Sequence, residues 1–151
     1  MNPVGLTTKH KSPHRFKAGL LTAGLAASLA FSSLAEARDV TVATQLKQYR
    51  GDGAYVAVYL TDAKGNYQQT LWVAGKKSKY FKHLKDWARG SKRNRSEYDG
   101  MTGASISRGR TLKITVDLDD ALIDSGYQIR VDTAVEDKRD NPADLIAPLT
   151  T

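Results

Sequence analysis

The chain has 151 residues, enough for one domain, with a formal net charge of +7 and no cysteine. The missing thiols exclude disulfides, c-type haem attachment, cysteine-ligated iron–sulfur clusters, a dithiol redox centre and a cysteine nucleophile. From the N-terminus, Lys9, Lys11, Arg15 and Lys17 precede an apolar run over 18–34, and Ala35, Glu36 and Ala37 supply a small-x-small site. This is the order of a secretory signal peptide over 1–37, with cleavage expected after Ala37. An uncleaved anchor is the alternative, because the run lies near the short end for spanning a bilayer. The remaining domain, 38–151, has no second hydrophobic run and is expected not to span a membrane. Losing four basic residues and one acidic residue takes its net charge to +4 and leaves His83 as its one histidine, which rules out a histidine-rich metal site.

Val40, Val42, Thr44 and Leu46 alternate with polar or small residues, as in an amphipathic strand. Residues 55–60 are apolar or small at every position, as in a central strand, and 62–66 is a turn leading to a second hairpin arm over 67–73. Tyr80, Leu84 and Trp87 fall at i, i+4 and i+7, predicting one amphipathic helix with Lys82, Lys85 and Arg89 opposite and Gly90 at its end. Residues 91–96 read as a polar, mobile connection. Leu112, Ile114, Val116 and Leu118 alternate, as do Tyr127, Ile129, Val131 and Val135 after the Asp124-Ser125-Gly126 turn, and Leu145-Ile146 suggests a short edge strand. Short strands without regular strand–helix alternation predict an all-β fold, an immunoglobulin-like antiparallel β-sandwich with one inserted amphipathic helix.

Charge is uneven. Residues 76–95 hold nine Lys or Arg against Asp86, whereas 117–144 hold nine acidic residues against Arg130, Lys138 and Arg139. The basic stretch fits either an anion site or a solvated helix face. Nucleic acid is not expected as a partner: the chain carries an export signal and no nucleic-acid module, and Tyr80 and Trp87 sit at core spacing. A catalytic His83 lacks a G-x-S-x-G nucleophile elbow. Asp117, Asp119 and Asp120 do not have the spacing of an EF-hand loop, and read as a strand end with a solvated turn.

Residues 99–105, Asp-Gly-Met-Thr-Gly-Ala-Ser, combine two hydroxyls with small neighbours. Gly100 and Gly103 permit backbone shapes closed to other residues, and Asp99 and Thr102 can hydrogen-bond within such a turn. The segment is expected to be accessible and free of strand pairing. It resembles the flavinylation sequence Asp-x-x-Ser/Thr-Gly-Ala-Ser/Thr, recognised by FAD:protein FMN transferase. That resemblance makes Ser105 the attachment residue for FMN, with Asp99, Thr102, Gly103 and Ala104 as the recognised frame.

A wider resemblance spans nearly all of 38–151. It is carried by Tyr55-Val56-Ala57-Val58-Tyr59-Leu60-Thr61-Asp62, Thr70-Leu71-Trp72-Val73, Lys79-Tyr80-Phe81-Lys82-His83-Leu84-Lys85-Asp86-Trp87, and the motif itself. These segments resemble the DUF2271 family of predicted periplasmic proteins. The resemblance implies a periplasmic, immunoglobulin-like domain in flavin electron transfer, a redox carrier more than an independent enzyme, partnered by a PepSY-type membrane reductase. Two departures stand out: Ser105 replaces the commoner Thr, and the turn at 119–126 is shorter than the family's. A non-catalytic periplasmic binding module is the alternative function.

Overall fold

The structure, a computed structural model, describes residues 36–151. The expected signal peptide lies outside the described residues except for Glu36 and Ala37. Seven strands follow: β1 Ala37–Gln45, β2 Tyr55–Thr61, β3 Tyr67–Ala74, β4 Thr102–Gly103, β5 Thr111–Asp119, β6 Gln128–Ala134 and β7 Asn141–Pro148, with one α-helix, α1, at Lys85–Gly90. They form two sheets, a two-stranded β1-β5 and a five-stranded β4-β3-β2-β6-β7. The chain is therefore an all-β sandwich, as its alternating patterns predict. No helix among the described residues is long and apolar enough to cross a membrane.

The core has two layers, one on each face of the five-stranded sheet. Val56, Val58 and Leu60 of β2 meet Leu112, Ile114 and Leu118 of β5 between the sheets. Tyr55, Ala57 and Tyr59 point the other way, onto Phe81, Leu84 and Trp87. Successive side chains of a strand alternate faces, so a strand covered on both sides must be apolar throughout. Every residue of β2 is buried. Full burial of one Val or Leu is worth about 1.5–3 kcal/mol, which makes β2 the strand on which both layers are assembled.

β5 and β6 follow each other in sequence but do not pair: β5 runs antiparallel to β1, and β6 lies between β2 and β7. A 3-10 turn at Asp120–Leu122 carries the chain from one sheet to the other. The predicted single helix is a 3-10 helix, Ser78–His83, followed by α1, with the break at Leu84 (φ −82°, ψ 76°). In place of Tyr80, Phe81 joins Leu84 and Trp87 in the core, and Tyr80 is half-buried. Residues three apart share a face of a 3-10 helix, whereas four-residue spacing belongs to an α-helix. The connection after α1 is also organised by hydrogen bonds. The buried Ser91 donates to Trp87 O at 2.8 Å and accepts from Arg93 N, and Asn94 caps a 3-10 turn at Arg95–Glu97.

Candidate functional site

The 99–105 segment leaves the Arg95–Glu97 turn through a tight reversal in which Met101 N–H donates to Tyr98 O at 3.0 Å. Gly100 occupies its third position with φ +79°, and nothing lies within 4 Å of where a Cβ would sit. Conformation alone therefore calls for glycine there. The next residues are not free of strand pairing, contrary to expectation. Thr102 and Gly103 form β4, parallel to β3, with Val73 N–H donating to Met101 O at 2.9 Å and Gly75 N–H to Gly103 O at 2.8 Å. At Gly103 the constraint is packing: a Cβ would lie 2.8 Å from Cζ2 of Trp72.

Beyond β4 the chain is fastened again. Ile106 and Ala54 exchange backbone hydrogen bonds of 2.8 and 3.0 Å. Tyr49 locks this bridge, its hydroxyl donating to Ile106 O and accepting from Ala54 N–H, both at 2.8 Å. Ser105 thus sits between two backbone anchors. Its Oγ accepts from Lys76 N–H at 3.1 Å, leaving its own O–H available. Gly53 makes room for it, since a Cβ there would lie 2.7 Å from Ser105 Cβ. Ser105 is half-buried while Thr102 and Ala104 are exposed, so a hydroxyl is presented at the surface from a fixed backbone.

Asp99 and Thr102 do not play the expected part. Both are exposed, and neither side chain makes a hydrogen bond among the described residues. The shape comes instead from Gly100, β4 and the Tyr49 lock. Nothing local in the sequence marks Tyr49 and Lys76 as supports, and only the Asp52-Gly53 pair ahead of β2 hints at a close approach.

Two features beside the motif bear on what it can hold. Trp72, against Gly103, has a buried Nε1–H with no hydrogen-bond partner among the described residues. Trp72 and Met101 also line a cavity of about 440 Å³ between the β3 and β5 edges. Lys76 and Lys77 are exposed on one side of Ser105, as is Arg108 three residues on. The ammonium groups of Lys77 and Lys79 lie 6.0 and 4.8 Å from the Tyr80 ring centroid.

His83 Nδ1 meets Asp140 at 3.2 Å, Lys85 joins the same carboxylate at 3.3 Å, and no hydroxyl is bonded to the imidazole among the described residues. Asp119 accepts from Ala121 N–H at 2.9 Å, Asp120 pairs with Arg38 at 2.8 Å, and Asp117 faces Asp39 across the β1–β5 ladder. No group of three or more His, Cys, Asp or Glu among the described residues could hold a metal ion. Burial, then the Asp132 carboxyl, raises the buried Tyr59, and desolvation above all pushes the half-buried Tyr67 up to about 12.

Residues 37–151 match the model of a family described as predicted periplasmic protein (DUF2271). No curated protein and no solved structure matches the chain.

Proposed function

The chain belongs to the DUF2271 family of predicted periplasmic proteins, and from that premise we propose that it is a periplasmic electron carrier with FMN esterified to Ser105. The observation that carries the reading is the Ser105 hydroxyl itself. It ends an Asp-x-x-Thr-Gly-Ala-Ser motif, is reachable from solvent and is held between two backbone anchors. In the loading step Ser105 Oγ attacks the FMN phosphorus of FAD and the P–O bond to AMP breaks. AMP departs, and the hydroxyl proton passes to a base of FAD:protein FMN transferase. The neighbouring Thr102 and Ala104 are themselves exposed.

The residues present suit such a group. Exposed Lys76, Lys77 and Arg108 would offset the phosphodiester charge, and the unpartnered Trp72 N–H would offer a donor beside the motif. Bound flavin supplies one- and two-electron redox chemistry, while the protein holds and tunes it. The electron donor in this reading is a PepSY-type membrane reductase.

The test is the intact mass of mature protein co-expressed with the transferase and Mg²⁺, beside Ser105→Ala. Removing Oγ leaves one exposed amide that water satisfies, a loss of about 1 kcal/mol, so the variant stays folded. An FMN adduct with in-gel fluorescence is expected for the native protein and absent in the variant. An adduct surviving in Ser105→Ala would move the site to Thr102. Colourless, unmodified protein in both would leave the non-catalytic binding module.

A further inference from the structure

One end of the sandwich, bounded by the loop after β1 and by β6 and β7, opens into a cavity of about 700 Å³. That volume lies within the range of small-molecule sites. Its floor is apolar: Leu46, Ala54 and Val131 belong to the buried layer between the sheets. Its rim is cationic, carrying Lys47, Arg50, Lys138 and Arg139. None of these four forms an ion pair among the described residues. The lining carboxyl of Asp144 already accepts from the Thr133 hydroxyl at 2.7 Å. Thr44 lines the same cavity, is only 7% exposed, and its Oγ1 has no hydrogen-bond partner among the described residues.

Each feature asks for the same complement. Apolar floor area favours an apolar body, four unpaired cations lining one cavity favour negative charge, and a buried orphan hydroxyl favours a polar atom within reach. We propose that this cavity binds an amphipathic organic anion, an apolar body bearing a carboxylate, sulfonate or phosphate group. The proposal stands apart from flavin attachment, although the two meet in space. Ala54 and Tyr49 line the cavity and also hold Ile106, the residue after Ser105. A flavin carried on Ser105 and a free small molecule are therefore both possible sources of the same chemistry.

Titration of the unmodified mature protein with anilinonaphthalene sulfonate, read by its fluorescence, tests the site. Saturable binding at one site per chain is expected. Lys138→Gln with Arg139→Gln should weaken it about tenfold, the scale of two exposed charge contacts. Leu145→Glu, which places an anion at the rim on an exposed residue, should abolish it. All three substitutions are on exposed side chains, so an unchanged melting temperature certifies the fold. The uncharged phenylnaphthylamine should be indifferent to the Lys138 and Arg139 changes. Binding that never saturates, or that ignores both the paired charge change and Leu145→Glu, overturns the proposal. Repeating the titration on FMN-loaded protein separates the sources: lost binding makes the flavin the occupant, and undiminished binding makes it a free anion. The adduct mass at Ser105 is read independently, so failure to load flavin leaves the cavity test intact.

Discussion

Asp132 is the residue whose role is hardest to foresee and easiest to explain once its neighbours are in place. It is fully buried in β6 and accepts four hydrogen bonds. Oδ1 takes the Tyr59 hydroxyl at 2.9 Å and Ala143 N–H at 2.7 Å, while Oδ2 takes Asp86 N–H and Trp87 N–H, both at 2.9 Å. The last two are unsatisfied donors at the start of α1, for which Leu84 offers no side-chain cap. Ala143 has φ 45°, a left-handed conformation that costs a residue with a Cβ roughly 1–2 kcal/mol, so this carboxyl also holds a strained point of β7. Asp132→Ala leaves four donors without an acceptor and should cost at least about 3 kcal/mol. Tyr59→Phe removes a single donor and should cost about 1.5–3 kcal/mol, the range for a hydrogen bond to a charged group. Urea midpoints of the two variants check this order; an equal loss would mean that α1 and Ala143 find other partners. None of it is legible locally. In the sequence Asp132 occupies a polar position of an alternating strand, and only a segment 46 residues earlier makes that position interior.

At the scale of elements, the sequence is most informative where one face of a strand is buried. β1 and β5 were readable because Val40, Val42, Leu112, Ile114 and Leu118 alternate, and β2 because it is apolar on both faces. It says less where two periodicities compete. Tyr80-Leu84-Trp87 and Phe81-Leu84-Trp87 are both apolar sets, one at α and one at 3-10 spacing. The sheet decides between them: Phe81 packs edge-on to Trp87 and Tyr98, with ring centroids 5.9 and 5.6 Å away. Tyr80 keeps the outer position, 5.5 Å from the Tyr55 ring. Phe81→Ala should therefore cost about 3–5 kcal/mol, as for other buried aromatics. Tyr80→Ala should cost clearly less, and denaturant curves of the pair distinguish the observed break at Leu84 from a continuous α-helix, which would reverse the order. The motif at 99–105 divides in the same way. Its glycines and hydroxyls are visible in the sequence, but its anchoring to β3 and Ala54 is made by contacts from distant residues.

At the scale of the molecule, the two sheets differ in how they are supported, and pH should expose the weaker one. The five-stranded sheet is covered on both faces, whereas β1-β5 is packed on one face and bare on the other. On that bare face Asp39 and Asp117 stand directly opposite in the ladder. Opposed like charges are unfavourable, and the Asp39 carboxyl, by hydrogen bonding and then by repulsion, raises Asp117 above the ordinary carboxyl range. A raised native value means that the folded protein holds this proton to higher pH than the unfolded chain does. Stability from this pair is therefore present at acid pH and falls as pH rises through the Asp117 titration. Asp62, held below its ordinary value chiefly by the Asn66 side chain, acts in the opposite sense: its contribution is present at neutral pH and is lost on acidification. Asp117→Asn should raise the melting temperature at pH 7, and the gain should shrink as pH falls through the Asp117 titration, because the native side chain then carries its proton. Asp39→Asn should give a similar gain, and the double variant little more than either alone, because both remove one repulsion. Additive gains would mean that each carboxylate is destabilised by the wider acidic surface around 117–120 and not by its partner across the ladder.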